Sequence, residues 1–502
     1  MTYNEALDFI EKAKKSGSIL GLTNIRELMQ RLNNPQDKLK IIHIAGTNGK
    51  GSTAAFITAI LCAAGYRVGR FISPSVFSYR EMIQISEIRH QADNTELIKD
   101  ENIYTNLVNS NDKINISNTP DMIFNSGENN INDLSGNKEK GAEEPDLYTG
   151  YISEEDIQEL IGIIKPVCED MVREKLSHPT SFEIETAMAF LYMVKKGVDF
   201  MVLETGMGGR LDATNVVSRP VCSVFTSVSF DHMQYLGNTI EQIAMEKAGI
   251  MKPGSIAITC SQKPEVLSVF KRKADELNIP LIIADRGKDG NIRYNINYTD
   301  FSYTDQNITK NYKIRLLGKH QVQNAVLAVR TAKVLDSLGY NINEYAVKTG
   351  LWMAKWPGRF EKVANNPDVF IDGGHNEEAA VRLRESIEMY FTNRRLIFII
   401  GVLADKDYSS MLRILAPLAN TIITITPNNP RALPSDKLEG EAAKYCGNVF
   451  DGIDIRQALN MAYKEAKKDD IIFAFGSLSF LGDLMNEIRI RKNNNLKDTE
   501  KR

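Results

Sequence analysis

One stretch limits the fold more than any other: Ile41-Ile42-His43-Ile44-Ala45-Gly46-Thr47-Asn48-Gly49-Lys50-Gly51-Ser52-Thr53. A short apolar run breaks into a glycine-rich turn carrying a lysine and a hydroxyl. A helical pattern then opens, from Thr53 to Ala64. Strand, turn and helix in that order build a cradle for an anion, because successive backbone N–H groups and the helix N-terminus face the same point. Lys50 adds a point charge, and Ser52 is placed to hold the Mg²⁺ of a nucleotide. Two departures mark this loop off from the common P-loop spacing. Gly51 separates the lysine from the hydroxyl, and Ile44 stands where the first glycine would be. An ordinary glycine turn would need neither lysine nor serine.

At 502 residues the chain is too long for one core, so two or three domains are expected. Hydrophobic residues make up 43% and charged residues 25%, the balance of a water-soluble globular protein. A net charge of −3 argues against a nucleic acid or an anionic membrane as main partner. No apolar run approaches a membrane span, and Met1–Lys15 lacks a signal-peptide core, so a cytoplasmic protein is expected. The five cysteines (Cys62, Cys168, Cys222, Cys260, Cys446) have no metal-ligand spacing and read as reduced core residues. The Lys- and Asn-rich end, Arg489 to Arg502, reads as a solvated, frayed tail.

Apolar runs alternate with helical patterns along most of the chain. Strands are expected at Lys40–Ala45, Arg67–Ile72, Asp199–Glu204, Val221–Val228, Ser255–Cys260 and Pro280–Ala284. Amphipathic helices fall between several of them, at Ser153–Met171, Ser181–Lys196 and Thr239–Ala248. A second series follows at Asp368–Asp372, Arg395–Val402, Thr421–Ile425 and Asp470–Phe475. The expected fold is therefore α/β: a P-loop-type domain with a mostly parallel sheet, plus a smaller Rossmann-like α/β C-terminal domain. Trp356-Pro357-Gly358 breaks the chain between them, giving residues 1–355 and 356–490, with 491–502 as the tail. Two such domains leave a cleft suited to two substrates. Residues 87–149 leave this rhythm. They are rich in Asn, Asp, Glu and Ser, and read as a low-complexity insertion without fixed structure.

Further chemistry gathers at strand ends. Val202-Leu203-Glu204 runs into Thr205-Gly206-Met207-Gly208-Gly209-Arg210-Leu211-Asp212, placing the Glu204 carboxylate where it can reach a metal near bound phosphates. A dinucleotide fingerprint is set aside there, since the third glycine and the helix start are missing. His232, in Asp231-His232, sits just past the Val221–Val228 strand, although imidazole is not a usual Mg²⁺ ligand. Thr239 and Gln242 have capping-box spacing ahead of a helix carrying Glu246 and Lys247. Asp372 and His375, in Asp372-Gly373-Gly374-His375-Asn376, repeat the pairing of carboxylate and histidine at a strand end of the second domain.

Together these segments resemble the folylpolyglutamate synthase/dihydrofolate synthase family, within the Mur-type ligases. The resemblance is carried by Gly46 to Ser52, Glu204 to Asn215, Asp231-His232 with Leu236-Gly237, and Glu246 to Ile250. His320-Gln321 with Asn324-Ala325, Trp356 to Arg359, Asp372 with His375-Asn376, and Leu403 to Asp407 follow in family order. It implies an ATP-dependent amide ligation. A folate carboxylate attacks the γ-phosphate of ATP, and the amine of L-glutamate displaces phosphate from the resulting acyl phosphate. It also implies two Mg²⁺ sites, one held by Ser52 and Glu204, the other by Ser73 and His232 with Glu204 shared. Lys247 matches a lysine that the family carbamylates, and a carbamate would offer that metal site an oxygen anion. Asn324, Arg359 and Asp372 match ATP contacts beside Thr47, Asn48, Gly49, Lys50, Gly51 and Ser52. His375 lies where phosphate and glutamate would meet, so Lys50, Lys247 and His375 are the expected catalytic residues. Gly21, Leu22, Thr180, Phe182 and Glu183 resemble folate-pocket residues. Ser75 stands where the family commonly has histidine. The implied partners are folate, L-glutamate and ATP, on a monomer.

Competing possibilities are a different Mur-type ligase, a P-loop kinase or switch, and a degenerate ATP-binding module. About 40 residues precede the loop, too few for the UDP-binding domain of cell-wall ligases. A kinase or switch leaves the Asp372–His375 domain and the Lys247 helix without a role. A degenerate module does not account for intact Lys50, Ser52, Glu204, His232 and Lys247. Folylpolyglutamate and dihydrofolate synthesis share one mechanism, and both stay open.

Overall fold

The computed structural model describes residues 1–14, 21–75, 77–89, 146–285, 287, 291–305 and 307–499, with side chains to residue 492. Three sheets organise these residues. The largest has eight strands in the order β4-β3-β2-β5-β1-β6-β7-β8. Its members are β1 (Ile41–Ala45), β2 (Val68–Phe71), β3 (Ile83–Arg89), β4 (Asp146–Tyr151), β5 (Phe200–Glu204), β6 (Cys222–Phe225), β7 (Ile256–Cys260) and β8 (Leu281–Ala284). The six strands from β2 to β8 in that order run parallel, and β3 and β4 close one edge as antiparallel additions. Parallel strands covered on both faces need continuous apolar runs rather than alternation. β1 and β5 meet that demand with every residue buried.

A six-stranded sheet follows, ordered β12-β13-β17-β14-β15-β16. It contains β12 (Glu361–Ala364), β13 (Asp368–Asp372), β14 (Leu396–Ile400), β15 (Thr421–Thr424), β16 (Val449–Asp451) and β17 (Ile471–Phe475). Only β12 is antiparallel to its neighbour. Its core holds a cluster of phenylalanines in which Phe360, Phe370, Phe391 and Phe473 pack with centroids 4.8–6.4 Å apart. This is the expected class: a mostly parallel P-loop-type sheet and a second, smaller α/β sheet.

Several local expectations need correction. Glu87–Arg89 and Asp146–Thr149, assigned to the insertion, are strand residues, paired in register from Gln84↔Tyr151 to Arg89↔Asp146. Cross-strand contacts supply what composition hides: Ser86 and Thr149 hydroxyls hydrogen-bond at 2.9 Å, and Arg89 lies over the Tyr148 ring. The rest of that insertion, 90–145, lies outside the described residues. The C-terminal end is helical to Thr499 rather than frayed: it continues the helix Leu481–Thr499, which buries Leu481, Leu484, Met485 and Ile488 against the six-stranded sheet, while Arg489, Ile490 and Lys492 are exposed. Residues 500–502 lie outside the described residues. The helix after the phosphate loop begins at Lys50 rather than Thr53.

A three-stranded antiparallel sheet, β9 (Ile292–Tyr294), β10 (Thr299–Asp305) and β11 (Ile308–Ile314), was not expected at all. Thr299, Phe301 and Tyr303 are buried while the residues between them are not, so the period-2 signal was present, diluted by Asn and Asp. All five cysteines are buried and free. No helix among the described residues is long and apolar enough to cross a membrane.

Candidate functional site

The phosphate loop leaves β1 in the middle of the large sheet. Its two neighbours, β5 and β6, bring their own ends to the same place through the pairings Ile44↔Glu204 and Ala45↔Phe225. In open α/β sheets such a point, where strand order switches, is where ligands bind. Gly49 takes a left-handed conformation (φ 87°) as it caps the helix Lys50–Ala63. A side chain there would be strained, and its Cβ would lie 2.5 Å from the Asn324 Oδ1. Gly51 is a close approach: a Cβ would stand 2.1 Å from Cζ2 of Trp356.

Around this loop the structure assembles one cleft. Its walls include Thr47 to Ser52, Ser73, Glu204, Asp231 and His232 from the large sheet's side. Arg359, Asp372, His375 and Arg382 come from the other. Lys50 Nζ donates to the carbonyls of Gly46 (3.2 Å) and Thr47 (3.3 Å), and stands 3.9 Å from Glu204 Oε1. Glu204 is 5% exposed, and burial pushes its carboxyl up to about 7 against the pull of Lys50, Arg359 and Arg70. Ser52 is buried and its Oγ accepts from Gln321 Nε2 at 3.2 Å. Ser73 follows β2 and is joined to Pro74 by a cis peptide bond.

The loop after β5 is held from below. Asp212 accepts from Met207 N (2.8 Å), Thr214 N (3.0 Å) and Thr214 Oγ1 (2.5 Å). The Thr214 hydroxyl donates its proton to Asp212, so His43 Nε2, 2.9 Å away, is the donor to Thr214 Oγ1. His43 is thus a neutral Nε2–H imidazole, in keeping with burial that pushes it down to about 3.

The histidines of the cleft are likewise biased toward the neutral form. Burial lowers His232, and burial with Lys406 pushes His375 down to about 4. His375 Nδ1 donates to the Gly373 carbonyl at 3.1 Å, which leaves the Nε2 lone pair free. Asp372 is occupied by backbone, accepting from Phe360 N (2.9 Å) and Gly374 N (2.7 Å). Arg359 Nη1 is buried without a hydrogen-bond partner in the same cleft. A buried guanidinium nitrogen without an acceptor is costly unless a ligand supplies one.

Other expected residues stand apart from the cleft walls. Lys247 lies beneath the phosphate loop and donates to the Gly46 carbonyl at 2.9 Å. Burial, then Lys50, pushes its amine down to about 7. Asn324 sits behind Gly49 and donates to Gln321 Oε1 at 3.0 Å. Thr180 and Glu183 form a capping box for the helix Ser181–Lys195, so their polar atoms already have partners. Phe182 stacks on Phe71 with centroids 5.9 Å apart, its ring edge against Gly206, which does line the cleft. Gly21 N donates to Leu211 O at 3.3 Å, and Leu22 precedes the helix Thr23–Arg31.

Sequence reasoning gave no role to Asp231, His320, Trp356, Glu378 or Arg382. Asp231, His320 and Trp356 lie inside the motifs named above, Asp231 as the acidic neighbour of His232. Glu378 and Arg382 look like an ordinary helical i,i+4 pair, and only their position just after His375 hinted at more.

Comparison with known proteins finds likeness along most of the chain. Residues 151–332 match the Mur ligase middle domain, and 358–478 the Mur ligase glutamate ligase domain. The chain is 33% identical to a dihydrofolate synthase/folylpolyglutamate synthase of Bacillus subtilis, over 97% of this chain and 99% of that protein. Among solved structures, a folylpolyglutamate synthase of Thermotoga maritima superimposes with a TM-score of 0.73 at 30% identity, covering 96% of each chain. One from Mycobacterium tuberculosis, complexed with ADP and AMPPCP, gives 0.74 at 27% identity, covering 96% of this chain and 97% of that one.

Proposed function

We infer, for a chain that belongs to the dihydrofolate synthase/folylpolyglutamate synthase family, that it is an ATP-dependent ligase adding L-glutamate to a folate carboxylate through an acyl phosphate. The observation that carries this reading is the cleft itself. It joins a phosphate loop, a buried carboxylate and an unpartnered buried guanidinium to a neutral histidine at the end of β13. Transfer of a phosphoryl group is mostly positioning and charge stabilisation, and these residues supply both.

In this proposal Lys50 and the N–H groups of Thr47 to Ser52 hold the polyphosphate, and Arg359 takes one of its oxygens. Asn324 and Asp372 act on the nucleotide through the backbone and side chains they fix. In this reading His375, with its Nε2 lone pair free, accepts a hydrogen bond from the incoming glutamate and orients the amine that attacks the acyl carbon; burial that pushes it down to about 4 makes it a weak base. The walls contributed by both sheets keep water from the acyl phosphate. Gly21, Leu22, Thr180, Phe182 and Glu183 frame the folate side, with Phe182 nearest the cleft.

Mg²⁺ fits the residues present. Glu204 is a buried carboxylate whose nearest cation is 3.9 Å away, and Ser52 offers a second hard oxygen. Among the described residues no three Asp, Glu, His or Cys side chains converge. Mg²⁺ keeps several waters and takes one or two protein oxygens plus substrate phosphates, a demand that the Ser52 hydroxyl and the Glu204 carboxylate can serve. We assign one site to Ser52 and Glu204, and a second to Ser73 and His232 with Glu204 shared. Bound there, the ions would neutralise charge on the transferring phosphoryl group. Lys247 is proposed to carry a carbamate: an amine pushed down to about 7 is largely neutral at physiological pH and can add CO₂.

The division at residue 355/356 and a monomeric, cytoplasmic protein complete the proposal. Phosphate release from Mg-ATP, with products identified by mass, tests it using tetrahydrofolate, dihydropteroate or no acceptor. Gain of one glutamyl residue with tetrahydrofolate establishes the synthase, and equal turnover of dihydropteroate makes it bifunctional. No stimulation by either pterin points to another carboxylate acceptor.

A further inference from the structure

The helix Glu377–Tyr390 follows β13, yet Glu378 on it reaches the phosphate loop and Arg382 the segment after β6 that pairs with that loop. Glu378 Oε2 accepts from Asn48 Nδ2 and from Ser229 Oγ, and its Oε1 accepts from Arg382 Nη2. Arg382 Nη2 also donates to Ser227 Oγ at 3.0 Å, and Ser227 Oγ donates to the Asn48 carbonyl at 3.3 Å. Thr47 closes the ring: its N donates to Ser227 O (2.8 Å), its Oγ1 to Ser229 O (3.0 Å), and Ser229 N to Thr47 Oγ1 (3.1 Å). Three segments far apart in sequence thus share one polar network, with the Glu378 and Arg382 side chains 29% and 24% exposed.

We propose that Glu378 and Arg382 are positioning residues for the ligation, holding the phosphate loop through Asn48 in register with the strand end that carries Asp372 and His375. The proposal rests on the ligase reading above. A carboxylate beside a polyphosphate would repel it, and Arg382 cancels that charge while Glu378 keeps both donors of the large sheet's side. The two residues therefore fail differently when removed. Without Glu378 the two sides part, and water reaches the acyl phosphate. The water oxygen bonds to the acyl carbon, the bond from that carbon to the phosphate oxygen breaks, and folate carboxylate, inorganic phosphate and a proton leave. Without Arg382 an uncompensated carboxylate stays next to the nucleotide.

The test measures phosphate released per glutamyl bond formed, and KM for ATP, in the full-length protein. Wild type should give one phosphate per bond. Glu378→Ala should give about three or more, with product turnover down about tenfold and KM for ATP little changed. Glu378→Gln, which keeps an acceptor oxygen, should recover much of the coupling. Arg382→Ala should raise KM for ATP about tenfold while coupling stays near one. One-to-one coupling at wild-type turnover in Glu378→Ala would overturn the proposal. A wild-type protein that releases no pterin-dependent phosphate would instead remove the ligase reading. The clasp is then judged by amide exchange at residues 227–229 without nucleotide: faster exchange in Glu378→Ala upholds it, and unchanged exchange sinks it.

Discussion

Lys50 Nζ and Glu204 Oε1 stand 3.9 Å apart at the meeting of β1 and β5, close enough to feel each other's charge but too far to hydrogen-bond. Each keeps capacity for a third party. For Lys50 that party is polyphosphate. Lys50→Met should therefore lower turnover by on the order of 10²–10³, the usual cost of losing one donor to transition-state charge. Far-ultraviolet circular dichroism should be unchanged. Near-normal turnover would remove the phosphate role.

Lys247 reaches the Gly46 carbonyl from beneath the loop. Lys247→Ala should lose turnover, and formate or acetate at tens of millimolar should restore part of it if the site needs an oxygen anion. Loss without rescue would leave Lys247 as a buried support for Gly46.

Gly209 packs against the backbone of the Lys247 helix. A Cβ there would lie 2.8 Å from the Glu246 carbonyl and 2.9 Å from that of Lys247. Neither backbone atom can swing aside, so Gly209→Ala should destabilise by about 1–3 kcal/mol through overpacking. Turnover should fall further than the unfolded fraction explains, since Lys247 shifts with the helix. A thermal melt alongside kinetics checks both, and an unshifted melt would contradict the contact.

Glu185, on the helix Ser181–Lys195, is 6% exposed, and burial pushes its carboxyl up to about 7. The folded state prefers the protonated form. This group's contribution is full below the ordinary carboxylate range near 4.5 and is lost as pH rises through about 7. Glu185→Gln should melt near wild type at pH 4.5 and above it at pH 8.5, by on the order of 3 kcal/mol. Parallel pH profiles for the two proteins would show that Glu185 does not titrate in that window.

What could be read from the chain follows from where each signal resides. β1, β5 and their loops were legible because a strand buried on both faces needs an unbroken apolar run, and the run ends where the chemistry starts. Glu204 could be assigned to the phosphate loop since parallel strands end on the same side. The clasp was hidden, because Glu378 finds Asn48 across 330 positions and Ser229 across 149. No local pattern encodes such a meeting. The edge pair β3–β4 was missed for a related reason: its two short runs, Ile83–Arg89 and Asp146–Tyr151, flank a long Asn- and Asp-rich stretch, and what joins them is cross-strand contacts such as Ser86 with Thr149.

In the proposed ligation the folate carboxylate is phosphorylated in this cleft before glutamate is joined to it. Tetrahydrofolate carrying ¹⁸O in its terminal carboxylate, turned over with Mg-ATP and L-glutamate, tests this directly. One ¹⁸O atom is expected in each inorganic phosphate released. Phosphate free of label, with glutamyl product still forming, would contradict it.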